Sequence, residues 1–304
     1  MNGKVRLQLS TMMFLEFFIW GAWYVPMGVY LGKLDFPGTV VGSAYSTTAI
    51  AAIISPFFVG MVADRFFSAE RVLGIVHLLG GLVLFAVSNI VTPMLFFWVL
   101  LVYTLTYMPT LALVNAVSFH QMEDTEKQFP KVRVWGTIGW IVAGLIVGFL
   151  ELNDGGARLN IESLFGLDLG IVVPFAAGEG DWVTAAATSF PMRLAGVAAI
   201  LLGLYSFLLP HTPPKAKGER ISVRDVLGLD ALGLMKDRSF AVFVISSFLI
   251  CIPVAAYYGF ANMFLDEAGM ANATAKMTLG QMSEAAFLLV MPFLFTRLGV
   301  KKML

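Results

Sequence analysis

Three side chains in KVRVWGTIGW, residues 131–140, are the first that could do chemistry together. Arg133, Thr137 and Trp140 follow one another at i, i+4 and i+7, so a helix lines them up on one face. A cation, a hydroxyl and an indole gain nothing from lipid, and such a face needs a polar partner. One of matching chemistry lies far along the chain in GQMSEAAF, where Gln281 and Glu284 stand three residues apart and share a helical face. An arginine, a hydroxyl and an aromatic ring opposite an amide and a carboxylate make a cage for a polar, flat, ring-containing solute.

Glu16 and Glu284 are the two carboxylates that fall inside apolar runs. A charge at the centre of a bilayer costs about 2.5–3.5 kcal/mol on insertion scales, so each is a candidate for function, whether in a cavity or in proton coupling. In the first run, FLEFFIWGAW, Glu16, Trp20 and Trp23 recur at i, i+4 and i+7. Trp20 joins the candidates for lining a cavity, whereas Trp23 fits packing equally well. Tyr258, on the apolar run that also holds Pro253 and Tyr257, is a further candidate.

The elements that must position these groups follow from composition. With 58% hydrophobic and 13% charged residues and a mean hydropathy of +0.82, the chain exceeds the apolar share of soluble domains, about 45–50%. It reads as an all-α polytopic membrane protein. Eight apolar runs, centred near residues 19, 52, 81, 105, 143, 200, 251 and 285, have the length of spanning helices. Pro109 should kink the fourth. The N-terminal run carries Glu16 and lacks a small-residue cleavage pattern, so it reads as a span and not a signal peptide.

Alternation of these spans from a cytoplasmic N-terminus leaves only Lys33, Arg158, Arg193 and Lys276 of the 20 Lys and Arg outside, as the positive-inside rule requires. Residues 152–190 read as an outside surface insertion, and 211–238 as a basic cytoplasmic linker in which RDVLGLDALGLM can form an amphipathic surface helix. The formal net charge of zero gives no sign of nucleic acid. One cysteine, Cys251, and three scattered histidines make no metal site. With no nucleophile motif and no phosphate-binding loop, neither an enzyme nor a cofactor is expected.

Between the second and third runs, GMVADRFFSAER sets Gly60, Asp64, Arg65 and Arg71 in the order Gly-x-x-x-Asp-Arg followed by a basic residue. The loop resembles the signature of the major facilitator superfamily, which implies a conformational latch at these residues. The resemblance narrows further. FFIWGAWYVPMGVY, YMPTLALVNAVSF, FPKVRVWGTIGW, LGLDAL and GQMSEAAF all look like the nucleoside:proton symporter family of that superfamily.

This resemblance implies a six-helix N-terminal bundle over residues 1–210, the linker 211–238, and the first two helices of a C-terminal bundle over 239–304, truncated after the eighth helix. It also implies import of nucleosides across the cytoplasmic membrane by proton symport with alternating access. Arg133, Thr137, Trp140, Gln281 and Glu284 then stand at substrate-contacting positions. The implied partners are a nucleoside, protons and the lipid bilayer, with a monomeric state when complete. Trp140 replaces a phenylalanine of the family's best-studied branch, and Ala255 and Tyr258 replace a glutamine and an asparagine. A carrier of a sugar or modified nucleoside, or a non-transporting remnant, are the competing readings.

Overall fold

The computed structural model describes residues 1–55, 66–164, 167–214 and 231–303. Of the latch residues, Gly60, Asp64 and Arg65 lie outside them, as does the first part of RDVLGLDALGLM; residues 231–236 form a 3-10 turn. Arg71 is exposed in the first turn of a helix.

The described chain is mostly helical, and the described part of each expected run is helix. In order these are α1 (Gly3–Trp23), α2 (Met27–Lys33), α3 (Gly38–Ser55), α4 (Ala69–Val87), α5 (Pro93–Tyr107), α6 (Thr110–His120) and α7 (Thr125–Phe149). After a sheet follow α8 (Phe190–Ser206), α9 (Arg238–Glu267), α10 (Ala273–Leu298) and the short α11 (Val300–Met303). Among the described residues, six helical stretches are long and apolar enough to cross a membrane: 3–33, 38–55, 69–87, 93–120, 125–149 and 238–267. The sixth expected run, α8, is shorter at 17 residues, and the eighth, α10, is not among the six.

Two of the spans are broken where proline removes a backbone donor. Pro109 separates α5 from α6 as its sequence position requires. Pro26 separates α1 from α2, and there the Tyr45 hydroxyl stitches the gap. It donates to the Tyr24 carbonyl at 3.0 Å and accepts from the Gly28 amide at 2.9 Å. Asn262 of α9 reaches the same break, donating to the Val25 carbonyl at 3.2 Å and lying 3.0 Å from the Thr274 hydroxyl.

Residues 150–184 depart from the all-α expectation. They form a four-stranded antiparallel sheet of β1 (Leu150–Asp154), β2 (Gly156–Leu164), β3 (Leu167–Ala176) and β4 (Glu179–Thr184) in the order β3-β2-β1-β4. A tight turn at Gly155, with φ of 80°, joins the central pair. Glu151 holds this sheet together at its core end, accepting from Arg158 at 2.7 Å and from Asn160 at 2.9 Å.

Close helix packing rests on missing side chains. A Cβ on Gly144 would come within 2.5 Å of the Thr278 methyl, and one on Gly148 would run into the Ala275 backbone, so α7 and α10 touch nearly main chain to main chain. On the other face of α7, Gly139 abuts the Phe14 carbonyl of α1. These two contacts place α7 between α1 and α10, and they fix the walls of the site.

Candidate functional site

The face of α7 that carries Arg133, Thr137 and Trp140 opens onto a cavity of about 320 Å³. Gln281 and Glu284 of α10 line the same cavity, as do Trp20 of α1 and Tyr258 of α9. All five expected contact residues and two of the further candidates therefore meet in one chamber. Its size falls within the range of about 300–1,000 Å³ usual for small-molecule sites.

The aromatic wall is continuous. Trp140 stands between Trp20, with ring centroids 5.6 Å apart, and Tyr258, at 5.7 Å, both edge-on. Trp20 continues to Tyr24 at 5.8 Å. Trp140 reaches Trp20 because Gly21 leaves room for it: a Cβ there would lie 3.0 Å from both the Trp140 Cα and its ring.

The polar groups are set apart from one another. The Arg133 guanidinium lies 3.9 Å over the Phe17 ring and forms no ion pair with Glu284, although both line the cavity. Arg133 Nη1 and Trp20 Nε1 are buried without a hydrogen-bond partner. Thr137 and Gln281 are buried, while Glu284 is exposed. The chamber thus offers a cation, an indole N–H, a hydroxyl, an amide and a carboxylate beside a stacking surface.

Glu16 is the exception among the candidates. It does not line the cavity; it is fully buried behind it, hydrogen-bonded to His77 and Thr110. Successive helical residues point about 100° apart, and the face of α1 toward the cavity is Phe17 and Trp20, continued by Tyr24 at its C-cap, at i, i+3 and i+7. Glu16 points instead toward α4 and the α5–α6 joint. Trp23 likewise packs inward, 5.3 Å from the Tyr103 ring.

Phe17, Tyr24, Cys251 and Val254, none of them a candidate from the sequence, complete the lining with Ala255. The aromatic spacing on α1 carried the signal for the first two. Cys251 and Val254 are apolar residues of an apolar run, and nothing in their identity distinguishes a cavity wall from a lipid face.

Apolar helices long enough to span a membrane thus enclose a polar, aromatic-lined chamber. The chain belongs to the nucleoside H+ symporter family, whose model matches residues 1–167 and 169–304. It is 44% identical over 301 residues to YegT of Escherichia coli (strain K12), a match covering 99% of this chain and 64% of that protein. It is 32% identical over 316 residues to the nucleoside permease NupG of the same organism, covering 99% of this chain and 68% of that one. The crystal structure of a point mutant of the nucleoside transporter NupG superposes with a TM-score of 0.78 at 30% identity, covering 98% of this chain and 69% of that chain. The chain thus spans 64% and 68% of the length of these two curated relatives. The family is one of transporters, not enzymes, and the protein is an integral membrane protein.

Proposed function

We propose that the protein imports nucleosides across the cytoplasmic membrane by proton symport with alternating access. One observation carries this reading. Arg133, Thr137 and Trp140 of α7 share a single cavity with Gln281 and Glu284 of α10, although some 140 residues separate the two groups in sequence. Membership of the symporter family supports the reading independently.

In this reading the nucleobase stacks on Trp140, whose flanks are steadied by Trp20 and Tyr258. Ribose hydroxyls donate to Glu284 and exchange hydrogen bonds with Gln281, and Arg133 donates to an acceptor on the solute. Glu284 is the cavity carboxylate available to take a proton between the two access states. The frame for these movements is a major facilitator bundle, with residues 1–210 as its N-terminal half, 211–238 as a cytoplasmic linker and 239–304 opening the second half. The distribution of Lys and Arg supports a cytoplasmic N-terminus in the inner membrane. Gly60, Asp64, Arg65 and Arg71 supply the latch.

Uptake of labelled uridine by cells expressing the full-length protein tests this. Wild-type uptake collapses with a protonophore and in Glu284→Gln. Undiminished, protonophore-sensitive uptake in Glu284→Gln would remove Glu284 from the mechanism. Ala255 and Tyr258 on the cavity wall favour a second reading, a different polar solute such as a sugar or modified nucleoside. Competition by a panel of nucleosides and sugars separates the two.

A further inference from the structure

The most enclosed carboxylate among the described residues is one the cavity does not use. Glu16 has no exposed surface, and His77, its partner from α4, is 2% exposed. Glu16 Oε2 lies 2.8 Å from His77 Nε2, and Oε1 lies 2.5 Å from the Thr110 hydroxyl at the start of α6. The main-chain carbonyl of Glu16 accepts from the Tyr107 hydroxyl at 2.7 Å. Both ends of the Pro109 joint are therefore tied to this one residue of α1.

Counting hydrogens in this cluster shows two arrangements. The Thr110 hydroxyl owns one hydrogen and has two acceptors in reach, Glu16 Oε1 and the Tyr107 carbonyl, each at 2.5 Å. With Glu16 ionised, the hydrogen goes to the carboxylate, because a bond to a charged acceptor is roughly twice as strong as a neutral one. A proton arriving from solvent at Oε1 reverses this. The carboxyl O–H then donates to the Thr110 oxygen, and Thr110 turns its own hydrogen to the Tyr107 carbonyl, across the proline. His77, with its hydrogen on Nε2, donates to Oε2 in either case.

We propose that Glu16 and His77, with Thr110 as the switching hydroxyl, form a proton-holding site whose charge state sets the bend between α5 and α6. The site sits one aromatic layer from the cavity. The Tyr107 ring is 6.0 Å from Trp20 and 6.0 Å from His77, and Trp20, one turn beyond Glu16, lines the chamber. A buried carboxylate must be paired or protonated, and here Glu16 keeps its partners in both states, whereas the Tyr107 carbonyl receives the Thr110 hydrogen only when Glu16 is protonated. The groups facing Glu16 are His77 from α4 and Tyr103 and Tyr107 from α5, with Arg133 of α7 further off on the Tyr107 side. From α8, Tyr205 reaches α1 at Gln8, about two turns away. The effect of this proton on the cavity rests on the transport reading, whereas the proton site itself does not.

Infrared difference spectroscopy between acid and alkaline buffer, on the full-length protein in lipid and without any solute, tests the site. The expected result is a protonated-carboxyl stretch that titrates in the wild type, disappears in Glu16→Gln and shifts in Glu16→Asp. Its midpoint moves by about one pH unit, a tenfold change in proton affinity, in Thr110→Val and in His77→Gln. Absence of a titrating carboxyl band in the wild type, or its persistence in Glu16→Gln, overturns the proposal. Should Glu16→Gln fail to fold, the other variants decide: a band of wild-type position in Glu16→Asp and of wild-type midpoint in Thr110→Val overturns it equally. A titrating Glu16 band in a protein that takes up no nucleoside would leave this site standing and remove the transport reading instead.

Discussion

The Arg133 guanidinium lies 3.9 Å above the Phe17 ring, in the space left by Gly136, where a Cβ would meet both side chains at 2.7 Å. The ring faces hold the cation without neutralising it, and no carboxylate among the described residues pairs with it. Its donors remain for an occupant of the cavity. Hydrogen bonds to charged groups are worth about 1.5–3 kcal/mol, so Arg133→Ala should weaken uridine binding by roughly thirtyfold in calorimetry. Gly136→Ala should weaken it too, although it removes nothing that touches the solute, because it displaces Arg133 from Phe17.

Trp140 supplies the flat surface, and the shape of the loss identifies the role. Base stacking on an aromatic side chain is worth about 1–3 kcal/mol, so Trp140→Ala should lower nucleoside affinity by about five- to 150-fold. Trp140→Phe keeps a ring and should retain most of it. Equal losses in both variants would mean that the indole fills space and does not stack.

Cys251 is the one cysteine of the chain, is exposed and lines the cavity. A water-soluble methanethiosulfonate reagent should modify it, and saturating uridine should slow that modification severalfold, read on the Cys251 peptide by mass spectrometry. An unchanged rate would place the solute elsewhere.

The contact between α7 and α10 carries the two faces of the site toward each other. A leucine at Gly148 must push the Ala275 backbone away, and overpacking of this kind costs about 1–3 kcal/mol. Gly148→Leu should lower the melting temperature and nucleoside affinity together. Gly38→Ala, whose new methyl meets nothing within 4 Å, should change neither.

The candidate site was legible where polar residues break an apolar run at helical spacing. Arg133, Thr137 and Trp140 could share a face in only one way, and the same holds for Gln281 and Glu284. Glu16 was a different case. Glu16 with Trp20 and Phe17 with Trp20 fit the helical period equally well, and the choice between these faces is made by neighbours far away in sequence. Gly21 admits Trp140 on one side of α1, while His77 and Thr110 claim Glu16 on the other. The Pro109 break could be read from its own chemistry, whereas the sheet at residues 150–184 depends on pairings such as Leu150 with Leu159 that no local pattern announces.

In the proposed function the chamber between α7 and α10 moves nucleoside together with a proton. Proteoliposomes containing the full-length protein, loaded at alkaline pH and diluted into acidic buffer with labelled uridine outside, test it most directly. Accumulation above the external concentration, collapsing when a protonophore is added and absent in Arg133→Ala, is the predicted result. Uridine that equilibrates without accumulating, or that accumulates equally in Arg133→Ala, would rule out proton-coupled transport through this chamber.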